Sequence, residues 1–135
     1  MTQSLAAVAY LVADYDAAIA WFCDALGFNL LADAPMGQEK RWVVVAPPGR
    51  AGARIVIAKA GDDRQRAAIG AGGRVGYFLE TDDFARDHAA MRARGVRFLE
   101  APRREPYGIV AVFVDPWGGK WDLLQPAPSG EEAPP

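Results

Sequence analysis

Apolar and polar positions along the chain change period in the same order twice. In "VAYLVADYDAAIAWFCDALGFNLL" an apolar run suited to a strand stops at Asp14, a helical stretch follows, and Gly27 precedes a second strand-like run. "VGYFLETDDFARDHAAMRARGVRFLE" repeats the plan, with Asp82 and Gly95 in the corresponding places. Asp14 to Gly27 and Asp82 to Gly95 both span 13 positions. The ends make physical sense. An aspartate at the helix N-cap accepts orphan backbone N–H bonds, and further acid in the first turn (Asp16, Asp83) is favoured by the helix dipole. Glycine past the last turn takes the left-handed conformation that stops a helix. Ile19, Phe22 and Leu26 fall at helical spacing and predict one buried stripe.

Further strand signals follow each helix. "FNLL", "RWVVVA" and "ARIVIAKA" complete the first half, with "APPGRAGA" as a hairpin loop. "VRFLE", "GIVAVFV" and "KWDLL" complete the second, the last two joined across the turn "DPWGG". The expected architecture is α+β, two tandem βαβββ modules: residues 1–60, a linker over 61–73 ("GDDRQRAAIGAGG"), and residues 74–125. Residues 126–135, rich in Pro, Gly and Glu, read as a disordered tail. Neither module alone covers both sides of its sheet, so the two should pack on each other or on a second chain.

Composition narrows the functions available. With 135 residues the chain is one domain or two small modules. A net charge of −2 disfavours a nucleic-acid surface and a polybasic membrane anchor. The N-terminal apolar run lacks a basic leader and is cut by Asp14, which reads as neither a signal peptide nor a membrane span. A single cysteine, Cys23, allows no internal disulfide and points to a reducing, cytoplasmic setting. Nothing cationic lies near Cys23 in sequence, so it reads as packing rather than as a nucleophile.

Three motifs together carry a family resemblance. "VADYDAAIAWFCDALGF", "ETDDFARDHAAMRARGVRF" and "VFVDPWGGKWDLLQP", in that order and with the internal repeat, resemble the glyoxalase/bleomycin-resistance/dioxygenase (vicinal oxygen chelate) superfamily from about Ser4 to Gln125. The resemblance implies paired βαβββ modules, a homodimer, and pockets between modules. In metal-using members it implies four inward side chains that hold a divalent ion and leave positions open for substrate oxygens. Carried onto this sequence, those positions are Ala7, Val56, Gly76 and Asp122. Three of the four cannot ligate through a side chain, so no metal cofactor is expected.

Strand alternation then sets the expected inner face. If Ala7, Val56, Gly76 and Asp122 point inward, so do Ala9, Arg54, Phe78, Lys120 and Leu124, while Tyr10, Ile55, Ile57, Tyr77 and Trp121 face the helices. In "KRWVVVA" either Arg41 or Trp42 faces inward, and in "GIVAVFV" either Phe113 or its neighbours. Tyr107, in the connection "APRREPYG", could close on a ligand. The ligand-binding candidates are therefore Arg41, Trp42, Arg54, Val56, Phe78, Tyr107, Phe113 and Asp122, with Asp122 also the one catalytic candidate. Glu80 reads as solvated, and the lone His88 as a half-buried helix residue. Asp122 is either a polar anchor in a pocket or a remnant at a strand edge.

The reading that results is a metal-free protein that binds a small organic molecule, as bleomycin-resistance proteins do. Two rivals remain. One is a lyase, isomerase or dioxygenase of the same superfamily with an altered site, using Asp122 or Glu80 as acid and base. The other is a non-catalytic interaction module whose surface is its function.

Overall fold

The computed structural model describes residues 1–49 and 52–128. The chain divides after Ile69 into two compact units. Residues 129–135 of the expected tail lie outside the described residues, whereas Pro126, assigned to that tail, closes a strand by pairing with Gly108.

The first unit runs β1 (Ala7–Val12), α1 (Tyr15–Ala20), β2 (Asn29–Pro35), β3 (Arg41–Ala46), β4 (Arg54–Lys59) and α2 (Asp63–Ala68). Its sheet has the order β1-β4-β3-β2, with β1 parallel to β4 and the other pairs antiparallel. Asp14 caps α1 by accepting the Ala17 N–H at 2.8 Å. Beyond Ala20 the helix widens into a π-helical turn, Trp21–Ala25, and Gly27 follows at φ 76°. The buried stripe is Tyr15, Ala18, Phe22, Ala25 and Leu26, while Ile19 is only half-buried. It packs on Tyr10, Val12, Val43, Val45, Ile55 and Ile57, all buried on one side of the sheet.

The second unit runs β5 (Val75–Glu80), α3 (Phe84–Ala93), β6 (Arg97–Phe98), β7 (Arg103–Glu105), β8 (Gly108–Val114) and β9 (Lys120–Pro126). Its sheet has the order β5-β9-β8-β6, β7 pairs with β8, and β5 lies parallel to β9. Trp121 and Leu123 are buried with Phe113, and Phe98 links that layer to His88 of α3.

The structure corrects or refines three expectations. The cap of α3 is Asp83, which accepts the Arg86 N–H at 3.0 Å, and not Asp82, whose carboxylate pairs with the Arg86 side chain. The span from cap to glycine is therefore 12 positions in the second unit against 13 in the first. The π-helical turn accommodates the additional residue, since such a turn is an α-helix with one residue inserted. Second, the linker 61–73 contains α2, capped by Asp62 accepting the Gln65 N–H. Third, the connection "APRREPYG" is not only a loop. Arg103–Glu105 pairs with β8, and Pro106 and Tyr107 form the turn of a hairpin.

One buried carboxylate fixes the end of β9. Asp115 accepts the N–H groups of Trp117 and Gly119 with one oxygen, at 2.9 and 2.8 Å, and the Trp121 indole N–H with the other at 2.9 Å. It thereby holds Trp121 on the helix-facing side and, by pleat, sends Asp122 to the opposite face. Asp115→Ala strands these donors in a buried site and should cost about 2–4 kcal/mol. Asp115→Asn, which keeps the oxygen for the turn, should cost less. Urea unfolding of both variants checks this order.

Candidate functional site

The faces opposite the helices carry the chemistry. In the first unit the register sets Ala7 beside Arg54, Ala9 beside Val56, Val56 beside Val44, and Ala34 beside Trp42. This surface lines a concave cavity of about 920 Å³. Its wall is apolar, from Leu5, Ala7, Leu31, Trp42, Val44 and Val56, with Arg54 at one side. A bulge in β2 between Leu30 and Ala32 turns Leu31 onto the lining, where it is 48% exposed. Trp42 is 47% exposed, an unusual state for the largest apolar side chain.

Arg41 is excluded from that surface. It pairs with Asp33 at 2.8 Å and Asp16 at 2.9 Å, its guanidinium lies 5.1 Å from the Tyr15 ring centroid, and its N–H donates to the Tyr15 hydroxyl. It thus sits on the side of α1. Of the two candidates in that strand, Trp42 is the one on the cavity. The Asp33 carboxyl is held below its usual range mainly by the Arg41 hydrogen bonds.

In the second unit Phe78, Asp122 and Val112 fall side by side across β5, β9 and β8. Phe78 is 57% exposed and Asp122 is buried. Phe113, offered by the sequence as an inward residue, is fully buried on the helix side between Phe98 and Trp121, so its neighbour Val112 takes the inward place. Gly76 lies at a shift of register between Val75 and Tyr77, a bulge that leaves it opposite no partner. Near Asp122 lies Arg103, which pairs with Glu100 at 3.0 Å and Glu105 at 3.2 Å. Glu100 foremost, with the Tyr107 hydroxyl and Glu105, holds that guanidinium charged against the cost of burial.

Asp122 is the anomaly of this face. Its Oδ1 is buried without a hydrogen-bond partner. Burial pushes its carboxyl above the ordinary range, Arg103 draws it down, and Glu100 pushes it up again. Other titratable candidates are quieter. His88 lies against the rings of Phe84 and Phe98, and burial and Arg92 lower its pKa. Burial, then Asp24, raises the Cys23 thiol, which disfavours a thiolate nucleophile. Among the described residues no group of three or more His, Cys, Asp or Glu is placed so that it could hold a metal ion. No helix among them is long and apolar enough to cross a membrane.

The two units therefore share one geometry. Ala7 stands seven positions before its cap Asp14, and Gly76 seven before Asp83. Two residues further on, Ala9 faces Val56 and Phe78 faces Asp122. Such a repeat of strand, helix and strands with a parallel outer pair is the architecture implied by the sequence motifs. The chain belongs to the Glyoxalase/Bleomycin resistance protein/Dioxygenase superfamily, whose family model matches residues 4–123. A protein of Shewanella frigidimarina (strain NCIMB 400) is 47% identical over 128 residues, covering 93% of this chain and 95% of that one. Among solved structures the chain is similar to UcmS2 (29% identical, TM-score 0.81, covering 92% of this chain and 98% of that one). It is also similar to TnmS3, an antibiotic binding protein from Streptomyces sp. CB03234 (32% identical, TM-score 0.76, 93% and 98% covered).

The environment of Asp122 predicts a pH signature. Its folded carboxyl holds a proton more tightly than the unfolded one, so ionisation lowers stability as pH rises from about 4, the ordinary carboxylate value, through the raised folded value. Asp122→Asn removes this loss and should be more stable than the parent at pH 7 by about 1 kcal/mol. The gain should disappear near pH 3, where both forms are uncharged. Urea unfolding at the two pH values measures the difference.

Proposed function

We propose that the protein binds a small organic molecule on the concave face of its first module, without a divalent metal ion. The observation that carries this reading is the 920 Å³ cavity with an apolar wall and a half-exposed Trp42. Small-molecule sites are concave, mostly apolar, and furnished with a few polar groups, and this one falls within their usual range of about 300–1,000 Å³. The likeness to an antibiotic-binding protein across 93% of the chain supports the same class of activity. Ala7, Val56 and Gly76 offer no side-chain donor, which supports binding that needs no metal. A homodimer and a cytoplasmic setting belong to this reading, the second through the single cysteine.

The second reading, an enzyme of the same superfamily, is favoured by one observation: the buried, unpartnered oxygen of Asp122. A carboxyl whose proton is held more tightly through burial is better suited to donate one than a solvated carboxylate. Glu80, at the exposed end of β5, has no comparable surroundings. Recovery of the bound compound chemically unchanged from the purified protein speaks for binding alone, whereas recovery of a converted product speaks for the enzyme.

A ligand that binds only the folded state must raise the melting temperature, by an amount equivalent to about 2.7 kcal/mol at a hundred times Kd. Thermal scans against a panel of aromatic and glycopeptide compounds should give at least one such shift, unchanged by a chelator. Trp42→Ala should weaken that ligand about tenfold while leaving the unliganded melting temperature within a few degrees, since the side chain is half in solvent. No shift with any compound would count heavily against the reading.

A further inference from the structure

The cavity of the first module has an uneven chemistry that narrows its ligand. Its described lining is apolar or small except for Ser4 and Arg54, and Arg54 is the one charged side chain among those residues. Arg54 makes no ion pair with any described residue, in contrast to Arg41, Arg66, Arg86 and Arg103, each of which is paired. Its backbone is fixed at the start of β4, where its N–H donates to the Ala6 carbonyl at 3.0 Å and its Cα lies across from Ala7. Arg54 and Trp42 thus stand on one face of one sheet, separated by the Val44 and Val56 pair.

A planar apolar surface and an unpaired guanidinium on one wall suit different parts of one ligand. The indole stacks a ring system; the guanidinium offers a planar fork of N–H donors that matches a carboxylate oxygen pair. A cationic ligand meets repulsion from Arg54 and no acidic residue in the described lining.

Resting on the reading of this cavity as a binding site, we propose that it selects planar aromatic acids, with Trp42 stacking the ring system and Arg54 pairing with the ligand's anionic oxygens. The class excludes basic aromatic compounds of similar size. Arg54 acts as the residue that sets charge preference, and Trp42 as the residue that sets affinity for all planar ligands alike.

The test uses three probes of one shape and different charge: pyrene-1-carboxylate, the neutral pyrene-1-carboxamide, and 1-pyrenemethylammonium. Each is titrated by fluorescence into the full-length protein and its Arg54→Gln, Arg54→Lys and Trp42→Ala variants. The carboxylate should bind at least tenfold more tightly than the amide, and the ammonium more weakly than either. Raising the salt from about 0.05 to 0.5 M should shrink the carboxylate preference, because an exposed pair is screened. Arg54→Gln should abolish that preference while leaving the amide affinity unchanged within twofold, and Arg54→Lys should retain part of it. Trp42→Ala should weaken all three probes about equally. Equal binding of acid and amide, or an acid preference that survives Arg54→Gln, overturns the charge assignment while leaving the cavity a binding site. Binding of none of the three overturns this inference, and the thermal panel above then decides separately whether the reading beneath it stands.

Discussion

Each module rests on the parallel pairing of its first and last strands. β1 lies against β4 and β5 against β9, and a parallel pair requires a long crossover, which here carries the helix and the remaining strands. The helix must come back over one side of the sheet to bury its apolar stripe. Once it does, every second residue of each strand is committed to the core and the alternate residues are left on the other face. Tyr10, Ile55, Ile57 and Val43 are core for that reason, and Ala9, Val56 and Trp42 are left on the other face, where Val44 is buried between its neighbours.

The two inner faces produced by this rule have diverged. At matched positions the first module has Ala9 beside Val56 and the second has Phe78 beside Asp122. Among its described lining residues the first face is hollow and apolar apart from Ser4 and Arg54. The second bears an exposed aromatic ring and a buried carboxylate near a network of Arg103, Glu100 and Glu105. A buried oxygen without a hydrogen bond costs stability, and folds seldom keep one without compensation. A strand-edge residue would be solvated, whereas Asp122 is buried in β9, which pairs with β5 on one side and β8 on the other.

Much of this was legible in the sequence, because capping aspartates, glycine stops and two-residue alternation are local signals. They sufficed for the order of strands and helices in each unit and for setting Arg54 with Val56, and Phe78 beside Asp122, on one face of a sheet. They failed where a strand is apolar on both faces. "RWVVVA" and "GIVAVFV" have no polar alternation, so Arg41 and Phe113 could not be separated from Trp42 and Val112 until neighbouring elements fixed the parity. The partners that decide Arg41, namely Asp16, Asp33 and Tyr15, come from α1 and β2. Adjacent Asp82 and Asp83 are equally good caps by composition, and only the helix geometry chooses Asp83. The bulges at Leu31 and Gly76 and the π-helical turn have no local signature that alternation could reveal.

On the proposed reading, this chain uses the architecture of its superfamily to hold an organic molecule without a metal. Native mass spectrometry of the purified protein, before and after incubation with Zn, Ni, Mn and Fe(II), addresses it directly. The account predicts no divalent ion retained through buffer exchange; any adduct that survives should have an organic mass. One tightly held ion per chain would contradict it and would mean that side chains other than those at positions 7, 56 and 76 assemble a metal centre.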